Sequence, residues 1–336
     1  MIHSPYIRKK IGVHTVMSNV LIALLPAVGL YVWQIGAGIL VQLVLATVVA
    51  LAAEALVLTL RRRPVLPALT DLSAIVTAWL IVLSFPPIVP WWLTTLAVLI
   101  AIIAAKHLYG GLGQNPFNPA MVGYCAMIVA FPSLMAQWPP VGTVDFSSQL
   151  DLILGASRDL DAITGATALD SLRTGLLEGT ATVPTLMEQP VFGVFGSAGW
   201  EWIGLGYLVG GLWLIARGII TWHMPVAFLS VLAALSGVLW LVDPSHFASP
   251  LLHLASGGAL LAAFFIVTDP VSGATTPRGK LLFAAGIALI TYIIRVWGAF
   301  PDGIAFGVLL MNMCVPLIDM KTQPPVFGYK GDRHDG

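Results

Sequence analysis

The chain has 336 residues, of which 58% are hydrophobic and only 10% charged, and its mean hydropathy is +0.90. Soluble globular proteins carry about 25% charged residues, so a chain this apolar needs the bilayer as its solvent. The formal net charge is zero, which points to no nucleic-acid partner.

In chain order, Arg8, Lys9 and Lys10 come first, ahead of an apolar run. No small-residue cleavage site follows, so the run reads as a first membrane anchor rather than a signal peptide. Runs long enough, or nearly so, to cross a bilayer cover 18–34, 36–60, 70–85, 91–107 and 117–134. A more polar stretch extends to about 198. Five more runs cover 202–219, 225–242, 251–268, 281–296 and 303–318. The expected fold is an all-α integral membrane protein of about ten transmembrane helices. It divides into a first membrane half over 1–134, a long extracytoplasmic loop over 135–198, a second half over 199–320 and a cytoplasmic tail over 321–336.

Lys and Arg in the short loops set the orientation. With the N-terminus in the cytoplasm, that side collects thirteen cations, among them Arg61, Arg62, Arg63, Lys106, Arg278 and Lys280, while Arg158, Arg173 and Arg295 fall outside. Both termini are then cytoplasmic. Five spans on each side of the loop is an odd number, so two similar halves would run in opposite senses. Phe85-Pro86-Pro87 closes the third run and Thr268-Asp269-Pro270 the eighth, in matching positions. Inverted repeats place binding sites at such interrupted helices, although Gly and Pro also punctuate ordinary helices.

The chemistry sits in the loop, at Asp161-Ala162-Ile163-Thr164-Gly165-Ala166-Thr167-Ala168-Leu169-Asp170. Here a Thr hydroxyl lies beside small residues that permit close backbone approach, and Asp170 before Ser171 also suits a helix start. Asp-x-x-Thr-Gly-Ala-Thr with a Leu two residues on resembles the flavinylation motif of the family shared by Rnf complexes and Na⁺-translocating NADH:quinone reductases. The resemblance covers essentially the whole chain. It implies a covalent FMN, joined through its phosphate to Thr167 by a dedicated flavin transferase outside the cytoplasm, with Asp161, Thr164, Gly165 and Ala166 as the surrounding motif. It also implies a membrane electron-transfer subunit, not catalytic alone, that works with other subunits in a bacterial inner membrane. The complex would move electrons between ferredoxin and NAD⁺ and couple this to Na⁺ or H⁺ movement. The short N-terminus favours the Rnf side of the family.

A second stretch, Gly113-Gln114-Asn115-Pro116-Phe117-Asn118-Pro119-Ala120, matches the neighbourhood where the family holds a non-covalent flavin, riboflavin. Asn115 and Asn118 are the implied contacts, with helix capping as the competing role. A near-copy of the first motif, Asp269-Pro270-Val271-Ser272-Gly273-Ala274-Thr275, competes with it; the core motif alone does not choose. Charge bias puts Thr275 beside Arg278 and Lys280, on the cytoplasmic side, and Thr167 outside.

Glu54 lies inside the second run, about two turns from its end. An acid there is a candidate for a coupling cation or proton relay, or else pairs with a neighbour such as Arg61. Asp71 suits the start of the third helix. His107, His223 and His253 are never two to a helix, which gives a bis-His haem no support in the sequence. Cys125 and Cys314 lie far apart in apolar runs and read as small buried hydrophobes, not metal ligands. No catalytic residue and no metal site is expected. A secondary transporter or channel without flavin, built on a five-plus-five inverted repeat, is the alternative.

Overall fold

The structure, a computed structural model, describes residues 12–156, 165–179 and 181–324. Among these the only extended pairing is two isolated bridges, and the rest is helix and turn. The helices are α1 (Val13–Gln34), α2 (Gly38–Leu60), α3 (Val65–Leu69), α4 (Ser73–Ser84), α5 (Trp91–Leu99, continued by a π-helical stretch, Ile100–His107), α6 (Pro119–Ala130), α7 (Pro132–Met135) and α8 (Phe146–Leu154). After these come α9 (Ala168–Leu177), α10 (Val183–Leu186), α11 (Trp200–Ala216), α12 (His223–Val242), α13 (Pro250–Ala255), α14 (Ala259–Leu261, continued as π-helix over Ala262–Ile266), α15 (Pro277–Trp297) and α16 (Ile304–Thr322).

Five of them, α1, α2, α12, α15 and α16, are long and apolar enough to cross a membrane. Shorter apolar helices cover Ser73–Ser84, Trp91–His107, Pro119–Ala130 and Trp200–Ala216. The chain is a multi-pass, all-helical membrane protein.

Three of the runs read as continuous spans are interrupted. The run 70–85 yields α4, 12 residues long and so only about 18 Å, short of the roughly 30 Å hydrocarbon core. Leu72, with φ of 65°, breaks it from α3, and Asp71 Oδ1 accepts the Ser73 N–H at 2.7 Å, as an acid at a helix start should. The run 117–134 stops at Phe131, because Pro132 disfavours helical backbone in the residue before it. The run 251–268 opens at 256–258, between α13 and α14. Its freed backbone groups are met by two side chains of other elements: Arg295 donates to His253 O at 2.6 Å and Ser256 O at 3.5 Å, and Gly258 N–H donates to Asp302 Oδ2 at 3.1 Å. Broken helices persist in membranes only where such partners exist.

Packing depends on small residues. α1 and α11 lie together through Ala23 and Ala27 against Gly206 and Gly210. A Cβ on Gly210 would stand 1.8 Å from Ala23 O, so only glycine permits this approach. Elsewhere α2 packs on α4 and α5 while α12 packs on α13 and α15; α6 lies on the first π-helical stretch while α16 lies on α15; and α6 meets α16.

The described residues between α7 and α11 include the short helices α8, α9 and α10. Ala168, Leu169 and Leu172 of α9 cluster with Val183, Leu186 and Leu252. Gln149 of α8 anchors it to the α1–α2 turn by donating to Ile35 O at 2.8 Å and accepting from Gly38 N–H at 2.8 Å. Gly36, at φ 127°, passes so close to the Gln149 amide that no side chain fits there.

Candidate functional site

Thr167 is the N-cap of α9. Its extended backbone (φ −69°, ψ 161°) turns Oγ1 inward to accept the Asp170 N–H at 3.2 Å. The next turn is pinned by Arg173, which donates to Asp170 Oδ1 at 3.0 Å and to Ala299 O at 2.8 Å. Behind Thr167, Gly165 N–H donates to Trp138 O at 3.0 Å, and Ala166 is exposed. Asp161 and Thr164, the other motif residues, lie outside the described residues.

The same threonine lines a cavity of about 130 Å³, together with Tyr124, Trp138, Trp200, Tyr207 and Ser256. Trp138 and Trp200 meet edge-to-face, 5.0 Å between centroids. The Tyr207 and Ser256 hydroxyls are buried and have no hydrogen-bond partner among the described residues. Buried polar groups left unpaired are costly, so this wall suits a ligand with a flat apolar body and polar edges. Thr167 stands at the N-terminus of α9, the end of a helix whose dipole favours an anion.

Thr275 has different surroundings. Its Oγ1 donates to Asp319 Oδ2 at 2.9 Å, and its N–H donates to the same carboxylate. The N-cap there is its neighbour Thr276, whose Oγ1 accepts the Gly279 N–H. A phosphate on Thr275 would face a carboxylate, a repulsion that nothing within the motif reveals.

A second cavity, of about 240 Å³, is lined by Ser73, Thr77, Lys106, Asn115, Asn118 and Asp269, with Phe264 and Phe265 among its apolar walls. Asn118 is the N-cap of α6: Oδ1 accepts the Met121 N–H at 3.2 Å and Nδ2 reaches Ile266 O at 3.4 Å. Asn115 Nδ2 donates to Phe117 O at 2.9 Å, and among the described residues no donor reaches its Oδ1. Asn118 thus serves as a helix cap while still lining the cavity, and the Asn115 Oδ1 faces it without a donor among the described residues. Burial pushes the Asp269 carboxyl above its usual range, and Ser272 Oγ and Val271 N–H hold it in place.

Beside this cavity lies a buried ionic cluster. Lys106 Nζ donates to Glu54 Oε1 at 2.5 Å and to Ser73 Oγ at 2.7 Å, and His107 Nε2 lies 3.1 Å from the same Glu54 oxygen. Glu54 is 1% exposed and Lys106 2%. Glu54 thus pairs with Lys106 and His107, not with Arg61, which donates instead to His107 O at 2.8 Å. Sequence counting treats Lys106 as a loop cation, and Arg295 likewise. Both are buried, and their role depends on which way the helix end faces, which a charge count does not register. Ser73, Lys106, Arg295, Asp302 and Asp319 carry no motif that would have marked them. Of the other two histidines near the membrane, His223 stacks on Trp222 at 4.2 Å and His253 meets Tyr292 edge-on at 5.1 Å, so neither faces another histidine there. Cys125 is buried as expected, whereas Cys314 is exposed on α16, an outward face where a thiol costs nothing against lipid.

These features define a polytopic helical membrane protein with interrupted helices and two cavities that carry polar groups among apolar walls. Residues 1–328 match the family model described as the NQR2, RnfD, RnfE family. The chain is 46% identical to the D subunit of the ion-translocating oxidoreductase complex of Vibrio vulnificus, over 97% of this chain and 98% of that one. It is 46% identical to the D subunit of the same complex in Yersinia pseudotuberculosis, over 97% of each, and 44% identical to that of Escherichia fergusonii, also over 97% of each. The protein belongs to the NQR2, RnfD, RnfE family.

Proposed function

We propose that this chain is the D subunit of an Rnf-type ion-translocating oxidoreductase, and that it carries FMN through a phosphoester on Thr167. One observation carries the reading: Thr167 stands at the N-terminus of α9 and on the wall of an aromatic cavity at once. A phosphate on Oγ1 falls at the N-terminus of α9, where the helix dipole favours negative charge. The attached ring falls beside Trp138, Trp200 and the unpartnered Tyr207 and Ser256 hydroxyls. Attachment by a flavin transferase exchanges the Thr167 hydroxyl proton for the FMN moiety of FAD and releases AMP. The bound flavin supplies the electron chemistry; this chain's residues fix the phosphate, bury the ring and exclude water. Riboflavin is assigned to the second cavity, with Asn115 Oδ1 as a contact.

The same reading places both termini and Lys280 in the cytoplasm of a bacterial inner membrane, and the 135–198 segment outside it. It also treats spans one to five and six to ten as an inverted repeat. Interruption of both α3–α4 and α13–α14, and the matched pairing of α2 with α5 and α12 with α15, support that symmetry. Ferredoxin and NAD⁺ are the electron partners assigned to the complex, through its other subunits.

The test is a denaturing gel under ultraviolet light, run on protein from cells containing the transferase. Wild type and Thr275→Ala fluoresce, and Thr167→Ala is dark. A dark wild-type band overturns the flavin reading and leaves a transporter-like scaffold, which the interrupted helices also suit.

A further inference from the structure

We propose that Lys106 sets the redox potential of the flavin in the second cavity, and that Glu54 tunes how much of its positive charge the flavin experiences. This rests on the assignment of riboflavin to that cavity.

The geometry is specific. Lys106 is on the cavity wall yet fully buried, and an ammonium carries three N–H donors. Two are engaged, with Glu54 Oε1 and Ser73 Oγ; among the described residues no third acceptor is hydrogen-bonded to it. A buried cation on the wall of a cavity, with a donor to spare, fits a carbonyl or anionic oxygen on the ligand. Among the described residues that line the cavity Lys106 is the one Lys or Arg: Asn115 and Asn118 are neutral amides, Ser73 Oγ donates to Asp71 Oδ1, and Asp269 is held by Ser272 and Val271.

Reduction adds electron density to the pyrimidine edge of an isoalloxazine ring, so a neighbouring cation favours the reduced form. Charges interact strongly where water is excluded. Glu54 opposes the effect by neutralising Lys106, and its second oxygen, Oε2, has no partner among the described residues. The π-helical turn over Ile100–His107 makes the arrangement: both Lys106 and His107, adjacent in sequence, are buried there and reach the same carboxylate oxygen. π-helical segments recur at functional sites for this kind of reason.

The test uses the whole complex, with non-covalent flavin extracted by acid and quantified, and its midpoint potential read by spectroelectrochemical titration. Lys106→Met removes the cation, and the potential falls. Glu54→Gln releases the cation from its counter-charge, and the potential rises. A purely structural role for the pair moves both variants in one direction or moves neither. If Lys106→Met fails to assemble, Glu54→Gln alone still decides: an unchanged or lowered potential overturns the inference. A wild-type complex with no extractable riboflavin overturns both this inference and the assignment beneath it. Riboflavin present in full, with potentials unmoved in the variants, overturns this inference and leaves the assignment standing.

Discussion

Thr167 has two duties, as cap and as attachment point, and substitution can separate them. Thr167→Ala removes both. The cap bond is 3.2 Å long, at the far end of the N–H···O range, and the Ser171 N–H still reaches Thr167 O at 2.8 Å. Its loss therefore costs about 1 kcal/mol, the middle of the range for N-cap truncations. That corresponds to roughly a fivefold shift in the local opening equilibrium of the first turn of α9. Thr167→Asp keeps a good cap, since Asp ranks with the best N-cap residues, but has no hydroxyl to esterify. Hydrogen–deuterium exchange of peptides spanning 168–177, read beside in-gel fluorescence, distinguishes the two. The expected result is a dark band for both variants, with faster exchange only in Thr167→Ala. A fluorescent Thr167→Asp band would refute the attachment, and equally fast exchange in both would refute the cap.

Further outcomes follow from the packing and the buried ion pairs. Gly210→Ala places a methyl group 1.8 Å from a backbone oxygen of α1, which cannot yield as a side chain would. Overpacking of this kind costs about 1–3 kcal/mol and should lower the melting temperature of the protein in detergent; an unchanged melting curve would mean the helices are not in backbone contact. Arg295→Met leaves Asp302 without its counter-charge and two carbonyls without their donor, a loss of about 3–5 kcal/mol by analogy with broken buried pairs. Adding Asp302→Asn should recover part of it, and thermal unfolding of both variants reads the difference. Gln149→Leu orphans Ile35 O and Gly38 N–H, each worth about 1–3 kcal/mol when buried. The α8 segment should then become susceptible to limited proteolysis, and continued resistance would show that other contacts hold it.

The membrane character of the chain is plain in its apolar runs, because lipid exposure leaves helices hydrophobic on every side. Where the runs break is harder to read. The 251–268 run looks continuous because its interruption is stabilised by Arg295 and Asp302, roughly 40 residues away. The motif ending in Thr167 stands out, and the Asp170-Ser171 pair points to the helix that starts there. What distinguishes Thr275 structurally, the carboxylate of Asp319, lies on α16 and leaves no local trace. Lys106 escapes the charge rule for a related reason. That rule records which end of a helix a lysine occupies, not whether a wider π-turn has drawn it into the interior.

The contact between α1 and α11 also has a consequence in time. Ala23 and Gly206 lie ~180 residues apart, and at roughly 5–20 residues per second the ribosome needs on the order of ten seconds or more to deliver the second after the first. Until then α1 waits in the lipid with its small-residue stripe bare. The first membrane half is in this sense an unfinished product, whose closing surface is made last. Nonsense truncation after α6 should leave material for quality-control proteases to clear rather than a stable half-protein.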